Sequence, residues 1–218
     1  MTIGQSLSTY YGEVDSVVVM LEKIYSTSGD PVRFLPYDNL GHCLDVGCGN
    51  GRISENIYER CDELVSIEVD PQRLREAATK HLGSFCLADG CHLPFEDNTF
   101  DTVISYTVIE HIPESNNYQF LSEIKRVLKN QGIAYLVNDS LMYRILRKSR
   151  LLYPTRGPDP THVNMVRPRT LVHRLQQVGF EIEMWHSTPV SHFVENERLA
   201  RFLSDFGTKG HVVVKKSE

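Results

Sequence analysis

Apolar residues along this chain fall into two spacings, and the change from one to the other marks the elements. Val14, Val17, Val18, Leu21, Ile24 and Tyr25 recur at helical intervals and predict a helix over 13–25, in an N-terminal lid spanning 1–40. His42 to Val46 is a short apolar run with the length of a buried strand. It is followed by Gly47-Cys48-Gly49-Asn50-Gly51, a tight loop, and then a helix over Arg52–Arg60. A second strand is predicted over Leu64–Ile67. Asp70-Pro71 begins a helix running to about Lys80, with a capping carboxylate followed by proline at the first helical position.

Strands three and four are predicted over Ser84–Leu87 and Asp101–Ser105. Phe120, Leu121, Ile124, Val127 and Leu128 form one stripe of a helix ending near Asn130-Gln131-Gly132, and Ile133–Val137 is strand five. Strand and helix alternating in this way predict an α/β fold, a parallel sheet with helices on both faces. After Asp139 the rhythm changes. Leu141–Tyr153 is basic and amphipathic, Pro154, Pro158 and Pro160 mark a loop, Pro168–Val178 is a helix ending at Gly179, and Phe180–Trp185 and His211–Val214 are strands. We read the 218 residues as one domain, with 141–168 a cap insertion covering one edge of the sheet.

Composition narrows the classes. Hydrophobic content of 41% and charged content of 23% are those of a globular protein, and a net charge of −5 gives no global attraction to nucleic acid or anionic membrane. The apolar run Val17–Leu21 is too short to span a bilayer and lacks a basic leader, so a cytoplasmic location is expected. Cys43, Cys48, Cys61, Cys86 and Cys91 then read as reduced thiols. Even with His81 and His92 nearby their spacings match no zinc pattern, and no metal site is expected.

The candidate chemistry sits at the ends of the predicted strands. Gly47, Gly49 and Gly51 stand at alternate positions directly after a buried strand, where positive φ and close approach of a ligand to the backbone are both permitted. The spacing is GxGxG. Arg52 occupies the place where a dinucleotide fingerprint requires its third glycine, which weighs against a nicotinamide-dependent oxidoreductase. Glu68, 19 residues beyond Gly49, ends strand two and can accept hydrogen bonds from ribose hydroxyls, or is a solvated strand-end acid. Asp89, ending strand three, can accept from an adenine amine, or is the turn residue of an Asp-Gly pair.

Four segments in this order and spacing, LDVGCGNGR (44–52), VSIEVDP (65–71), LADGCHLPFEDNTFDTVIS (87–105) and EIKRVLKNQGIAYLV (123–137), resemble the class I S-adenosylmethionine-dependent methyltransferases. The similarity covers about residues 30–140, and the tail loosely. It implies a doubly wound, Rossmann-like, seven-stranded sheet, mostly parallel, whose antiparallel last strand lies between strands five and six. It also implies S-adenosyl-L-methionine as cofactor. By this resemblance Gly47, Cys48 and Gly49 line the methionyl part, and Asp45 braces the loop near the amino group. Glu68 holds the ribose with Val69 beside the adenine, Asp89 and Gly90 meet the adenine amine, and the backbone of Ser105 meets the methionyl amine. Arg33 would hold the carboxylate or is a surface arginine; Tyr10 and Tyr11 would close a lid or are terminal aromatics; Asp70 is a helix cap.

The expected activity is methyl transfer to a small-molecule acceptor, with oxidoreduction or a non-catalytic binding subunit on the same fold as the alternatives. Glu110 and His111 follow strand four on the crevice side. His162 in the cap loop, which otherwise stabilises that loop, and His111 are the candidate acceptor contacts, while His173 has an ordinary surface or half-buried role on a helix. Nothing visible activates Cys48 or Cys91 as a nucleophile. Between 141 and 174 the chain carries Arg144, Arg147, Lys148, Arg150, Arg156, Arg167, Arg169 and Arg174 against Asp159 alone. These cations either face an anionic or lipid-like acceptor, with transient contact to a membrane surface, or pair with the acidic remainder of the protein; nucleic acid is disfavoured because Tyr143 and Tyr153 are the only aromatics there.

Overall fold

The computed structural model describes residues 32, 35, 37–148, 159–188 and 207–217. The helix expected over 13–25 and the residues Tyr10, Tyr11, Arg33, Arg150 and Arg156 lie outside these. Besides three short 3-10 turns, the described strands and α-helices are β1 (Gly41–Val46), α1 (Arg52–Ile57), β2 (Cys61–Glu68), α2 (Pro71–Ala78), β3 (Ser84–Leu87), β4 (Phe100–Tyr106), α3 (Asn117–Val127), β5 (Leu128–Asp139), α4 (Leu141–Lys148), α5 (Pro168–Val178), β6 (Phe180–Thr188) and β7 (Lys209–Lys216). The strands form one sheet in the order β3-β2-β1-β4-β5-β7-β6. The first five run parallel, and β7 lies antiparallel between β5 and β6. This is the expected doubly wound topology.

Alternation along the central strands builds two cores, one per face. Leu44, Val46, Val103, Ala134, Leu136, Val212 and Val214 pack toward α3 and α5 with Phe120, Leu121, Ile124, Leu171 and Leu175. Cys43, Ile104, Tyr135, Val137 and Val213 face the other way onto Ile53 and Ile57 of α1. Because side chains alternate with period two, strands buried on both faces read as unbroken apolar runs.

Several ends differ from expectation. The helix read to Asn130-Gln131-Gly132 stops at Val127, because Leu128 already pairs with Phe100. The extra residues form an irregularity in the β4–β5 register, with Gln131 at φ 64°. The helix read over Arg52–Arg60 is α only to Ile57 and ends in a 3-10 turn. The cap is described over 141–148, which form α4, and over a separate segment, 159–168. Val163 and Asn164 N–H donate to the Glu110 carbonyl, and the Asn138 amide to that of Val166, which holds the segment over the carboxyl ends of β4 and β5.

Two local devices carry the motif residues between the strands. Asp70 caps α2 as expected, its carboxylate accepting from Gln72 and Arg73 N–H at 2.7 and 3.3 Å. Arg126 ties the loop after β3 to α3, donating to Glu123, to Asp97, and to the carbonyls of Leu93 and Phe95 at 3.0 and 2.8 Å. Replacing a capping aspartate with alanine costs about 1 kcal/mol. Removing a charged donor that satisfies several partners costs more, on the order of 2–3 kcal/mol. Denaturant unfolding should therefore rank Arg126→Ala below Asp70→Ala; equal stabilities would show that the arginine network contributes nothing beyond an ordinary surface pair.

Candidate active site

The β1–α1 loop turns on glycines in the left-handed region: Gly47, Gly49 and Gly51 have φ of 74°, 57° and 81°. At Gly47 a Cβ would lie 2.5 Å from a Val108 methyl, so only glycine fits. At Gly49 a Cβ would meet nothing within 4 Å, so that backbone faces open space. The loop is pinned to β2: Gly47 and Cys48 N–H both donate to the Ile67 carbonyl at 2.9 Å, and Gly49 N–H donates to Glu68 Oε2 at 2.8 Å. Glu68 Oε1 accepts from Val69 and Asp70 N–H at 2.8 and 3.0 Å. Glu68 thus does structural work not foreseen from its position, bracing both the glycine loop and the turn into α2, while still bordering the crevice.

Asp45 lies beneath this loop, fully buried. Its Oδ2 accepts from Ser54 Oγ at 2.8 Å, and its Oδ1 has no partner among the described residues. Burial pushes its carboxyl up to about 7; the Ser54 hydrogen bond opposes the rise and the nearby Glu68 charge adds to it.

A cavity of about 450 Å³ opens beyond the carboxyl ends of β1, β2 and β4. Its lining includes Gly47, Glu68, Val69, Asp89 and Gly90 from the segments after β1, β2 and β3, and Thr107, His111 and Thr161 from those after β4 and α4. Val69 is 68% exposed, an apolar side chain presented on the rim. Asp89 keeps one oxygen on Cys91 N–H at 2.9 Å and the other 3.5 Å from His92 Nδ1. Gly90 is required for packing, since a Cβ there would sit 2.8 Å from the Phe120 ring. Cys91 borders the cavity, and burial raises its thiol to about 11; burial raises Cys48 to about 12. Neither is a thiolate at neutral pH, in line with the sequence reading.

Of the residues placed at the cofactor by resemblance, Asp45, Cys48 and Ser105 are buried and, like Gly49, are not among the cavity-lining residues. The wall next to strand four is made two residues later, by Thr107 and Val108. Thr107 sits at φ 55° and its N–H donates to the Val137 carbonyl at 2.7 Å. A β-branched residue in the left-handed region carries no sequence signature, which is why it escaped notice. Arg73 and Thr161 were also missed as lining residues.

The two histidines proposed as acceptor contacts are brought together although they stand 51 positions apart: the rings of His111 and His162 cross edge to face with centroids 4.7 Å apart. Glu110 joins them, wholly buried, with Oε1 accepting from Asp139 N–H at 3.1 Å and Oε2 without a partner among the described residues. Burial and the adjacent Asp139 charge raise its pKa. Burial, with His111 beside it, outweighs nearby acids and lowers that of His162. Lys209 closes the cluster from β7, its ammonium 2.6 Å from Asp139 Oδ1 and over the Tyr106 ring. His173 is exposed on α5, as expected of a surface residue.

Residues 44–136 match the family profile of a methyltransferase domain. An uncharacterised protein of Methanocaldococcus jannaschii is 38% identical over 102 residues, covering 45% of this chain and 42% of that one. A Caenorhabditis elegans protein named sterol 4-C-methyltransferase is 31% identical over 99 residues, covering 42% and 29%. The chain thus spans less than half the length of either relative. Among solved structures, an S-adenosylmethionine-dependent methyltransferase of Methanosarcina mazei has the same fold, with a TM-score of 0.63 at 20% identity over 85% of this chain and 96% of that one.

The buried Asp45 makes stability depend on pH in a defined direction. In the folded chain its proton is held up to about pH 7, whereas an unfolded aspartate loses it near 4. Between these values the folded state carries the extra proton, so stability falls as pH rises, by up to about 1.4 kcal/mol per unit. Measured without added ligand, Asp45→Asn should lose that slope between about pH 4 and 7. Parallel curves for the two proteins would mean that the carboxylate is already ionised in the folded state.

Proposed function

We propose that this chain, whose residues 44–136 match the methyltransferase-domain family, is an S-adenosylmethionine-dependent methyltransferase acting on a small, anionic, amphiphilic acceptor. The cofactor half of the reading is supported by the open backbone at Gly49 and the unpartnered Asp45 Oδ1 beneath the glycine loop. Val69 and Asp89 border the cavity beside that loop. These features fit a ligand with a cationic amino group at one end and an adenosine at the other. Gly47 and Gly49 would admit its backbone-facing part, Asp45 would oppose its amino group, and Val69 with Asp89 would take the adenine. When bound, S-adenosylmethionine supplies a methyl group made electrophilic by its sulfonium. The protein's task is then to hold an acceptor in line with that methyl, which is worth roughly 7–11 kcal/mol in favourable cases. Thr107, His111 and Thr161 form the cavity wall available for this.

The acceptor's chemistry rests on α4. This helix presents Leu141 and Ile145, 37% and 51% exposed, beside the exposed Arg144 and has no acidic residue. An apolar strip next to cations suits an anionic amphiphile, or a headgroup reached from a membrane surface. The relative named a sterol methyltransferase accords with a lipid-like acceptor. Not all the cap's charge is available: Arg174 is buried, bonded to Asn117 and paired with Glu114 at 2.6 Å. Among the described residues no helix is long and apolar enough to cross a membrane.

Two experiments test these halves separately. Val69→Asp should leave unfolding within about 0.5 kcal/mol, because the side chain is exposed, yet weaken S-adenosylmethionine about tenfold, since burying a valine is worth roughly 1.5 kcal/mol or more. Unchanged affinity by calorimetry would place the adenine elsewhere. With an acceptor found by screening for S-adenosylhomocysteine release, Arg144→Glu/Arg147→Glu should raise KM several-fold, leave cofactor affinity alone and flatten the salt dependence. A neutral acceptor, or unaltered kinetics in the double variant, would overturn the anionic assignment.

A further inference from the structure

The described residues bring one Glu and two His side chains together where His111 borders the cavity. One ligating atom each from Glu110, His111 and His162 lies within 4.8 Å of the others. We propose that these three residues bind a single first-row divalent metal ion of the Zn2+ type, which holds an oxygen of the acceptor. The metal site stands on the geometry alone; the role given to the acceptor oxygen rests on the methyltransferase reading.

Three observations on the outer partners carry the proposal. First, Glu110 Oε2 is buried without a partner among the described residues, although its twin Oε1 is bonded to Asp139 N–H. A buried carboxylate oxygen left bare is costly unless a cation or proton completes it. The nearby cation does not: Lys209 is engaged by Asp139 Oδ1 at 2.6 Å and lies over the rings of Tyr106 and Tyr143.

Second, the tautomer of His111 is determined by its neighbours. Thr161 Oγ1 has one proton, and Asp159 Oδ1 takes it at 2.6 Å. Thr161 Oγ1 must then accept from His111 Nδ1, 3.0 Å away, so that the His111 Nε2 lone pair is free. An outer carboxylate orienting a ligating imidazole in this way is the usual support of a protein metal site. Asp159 Oδ2 also lies 3.9 Å from His162 Nε2, placing the same carboxylate behind both histidines.

Third, the third ligand is positioned by the first. Val163 and Asn164 N–H donate to the Glu110 carbonyl at 2.9 and 3.0 Å, so the backbone of Glu110 anchors the loop that carries His162. Asn164 is further held by its amide on Asn117 Oδ1 at 2.7 Å.

Two imidazoles and one carboxylate are borderline ligands that favour first-row ions over Mg2+ or Ca2+. In a tetrahedral site with bonds near 2.1 Å the ligand atoms stand about 3.4 Å apart, so the triad must close by no more than about 1.4 Å, within reach of the exposed His111 ring. His111 and Thr161 line the cavity, so an ion here would border it and leave a coordination position open for an acceptor hydroxyl or carboxylate. The expectation that no metal site is present was formed on the cysteines, and this triad contains none.

The full chain, stripped with a chelator and dialysed, should bind one Zn2+ per chain with micromolar or tighter affinity by calorimetry, and should not bind Mg2+ comparably. Co2+ substituted at the site should give visible d–d bands without thiolate-to-metal charge transfer. His162→Ala and Glu110→Gln should each weaken Zn2+ at least tenfold, and Thr161→Val, which touches only the outer partner, about tenfold. Should a buried variant fail to fold, His111→Ala, an exposed position, gives the same test. Absence of stoichiometric binding, thiolate bands from cobalt, or affinity indifferent to these substitutions would overturn the site. S-adenosylmethionine affinity, measured alongside in the stripped protein, separates the two readings. Loss of metal binding with the cofactor still bound refutes the triad alone, and metal binding without cofactor binding refutes the methyltransferase reading alone.

Discussion

Four carboxylates, Asp45, Glu68, Glu110 and Asp139, are buried at or just beyond the carboxyl ends of β1, β2, β4 and β5. Burying negative charge is expensive, and the surrounding architecture can be understood as four different ways of meeting that cost. Glu68 collects three backbone N–H groups; Asp139 takes an ammonium; Asp45 takes one hydroxyl; Glu110 takes one N–H. The first two are well satisfied. Among the described residues Asp45 Oδ1 and Glu110 Oε2 find no partner, and these two acids lie at opposite flanks of the β1–β4 junction. Incomplete satisfaction is found where a ligand would be received, and complete satisfaction where the loops have to be held.

The junction itself follows from topology. From β1 the chain winds outward through β2 to β3, then returns to place β4 against the other side of β1. Loops leaving β1 and β4 must therefore diverge, and a crevice opens between them at the carboxyl end of the sheet. The glycine loop closes one side and the Thr107–His111 segment the other. The left-handed backbone at Thr107 is held by its hydrogen bond to Val137 on β5, so strain at the mouth of the site is borne by the adjacent strand.

Much of this could be read from the residues. Periodicity located the central strands because those buried on both faces are continuous apolar runs, and Asp70-Pro71 marked its helix start by capping chemistry. Strand five was read five residues short at its start because Asn130-Gln131-Gly132 looks like a helix stop and in fact forms an irregularity within a strand. The glycine loop was legible because positive φ selects glycine. Glu68 was legible as a position but not in its bracing role, which depends on amides from two loops. Glu110 was visible only as a neighbour of His111, and its tie to His162 runs through backbone hydrogen bonds that depend on the path of the cap. Contacts of this kind leave no pattern in local sequence.

The antiparallel last strand acquires a physical reason from the same cluster. Lys209 pairs in register with Asp139, the final residue of β5. Because β7 runs against β5, its first residue arrives at the carboxyl end of the sheet, where the buried acids are. A parallel β7 would begin at the far end, and its leading lysine would be remote from them. Burial works against the Lys209 charge, yet Asp139 at 2.6 Å, with Tyr106 and Glu110 nearby, holds the ammonium charged. The reversed strand therefore brings from the tail of the sequence a cation that the βα units preceding it do not place there. By neutralising Asp139, it leaves Glu110 as the acid with an oxygen to spare, next to two histidines at the mouth of the cavity.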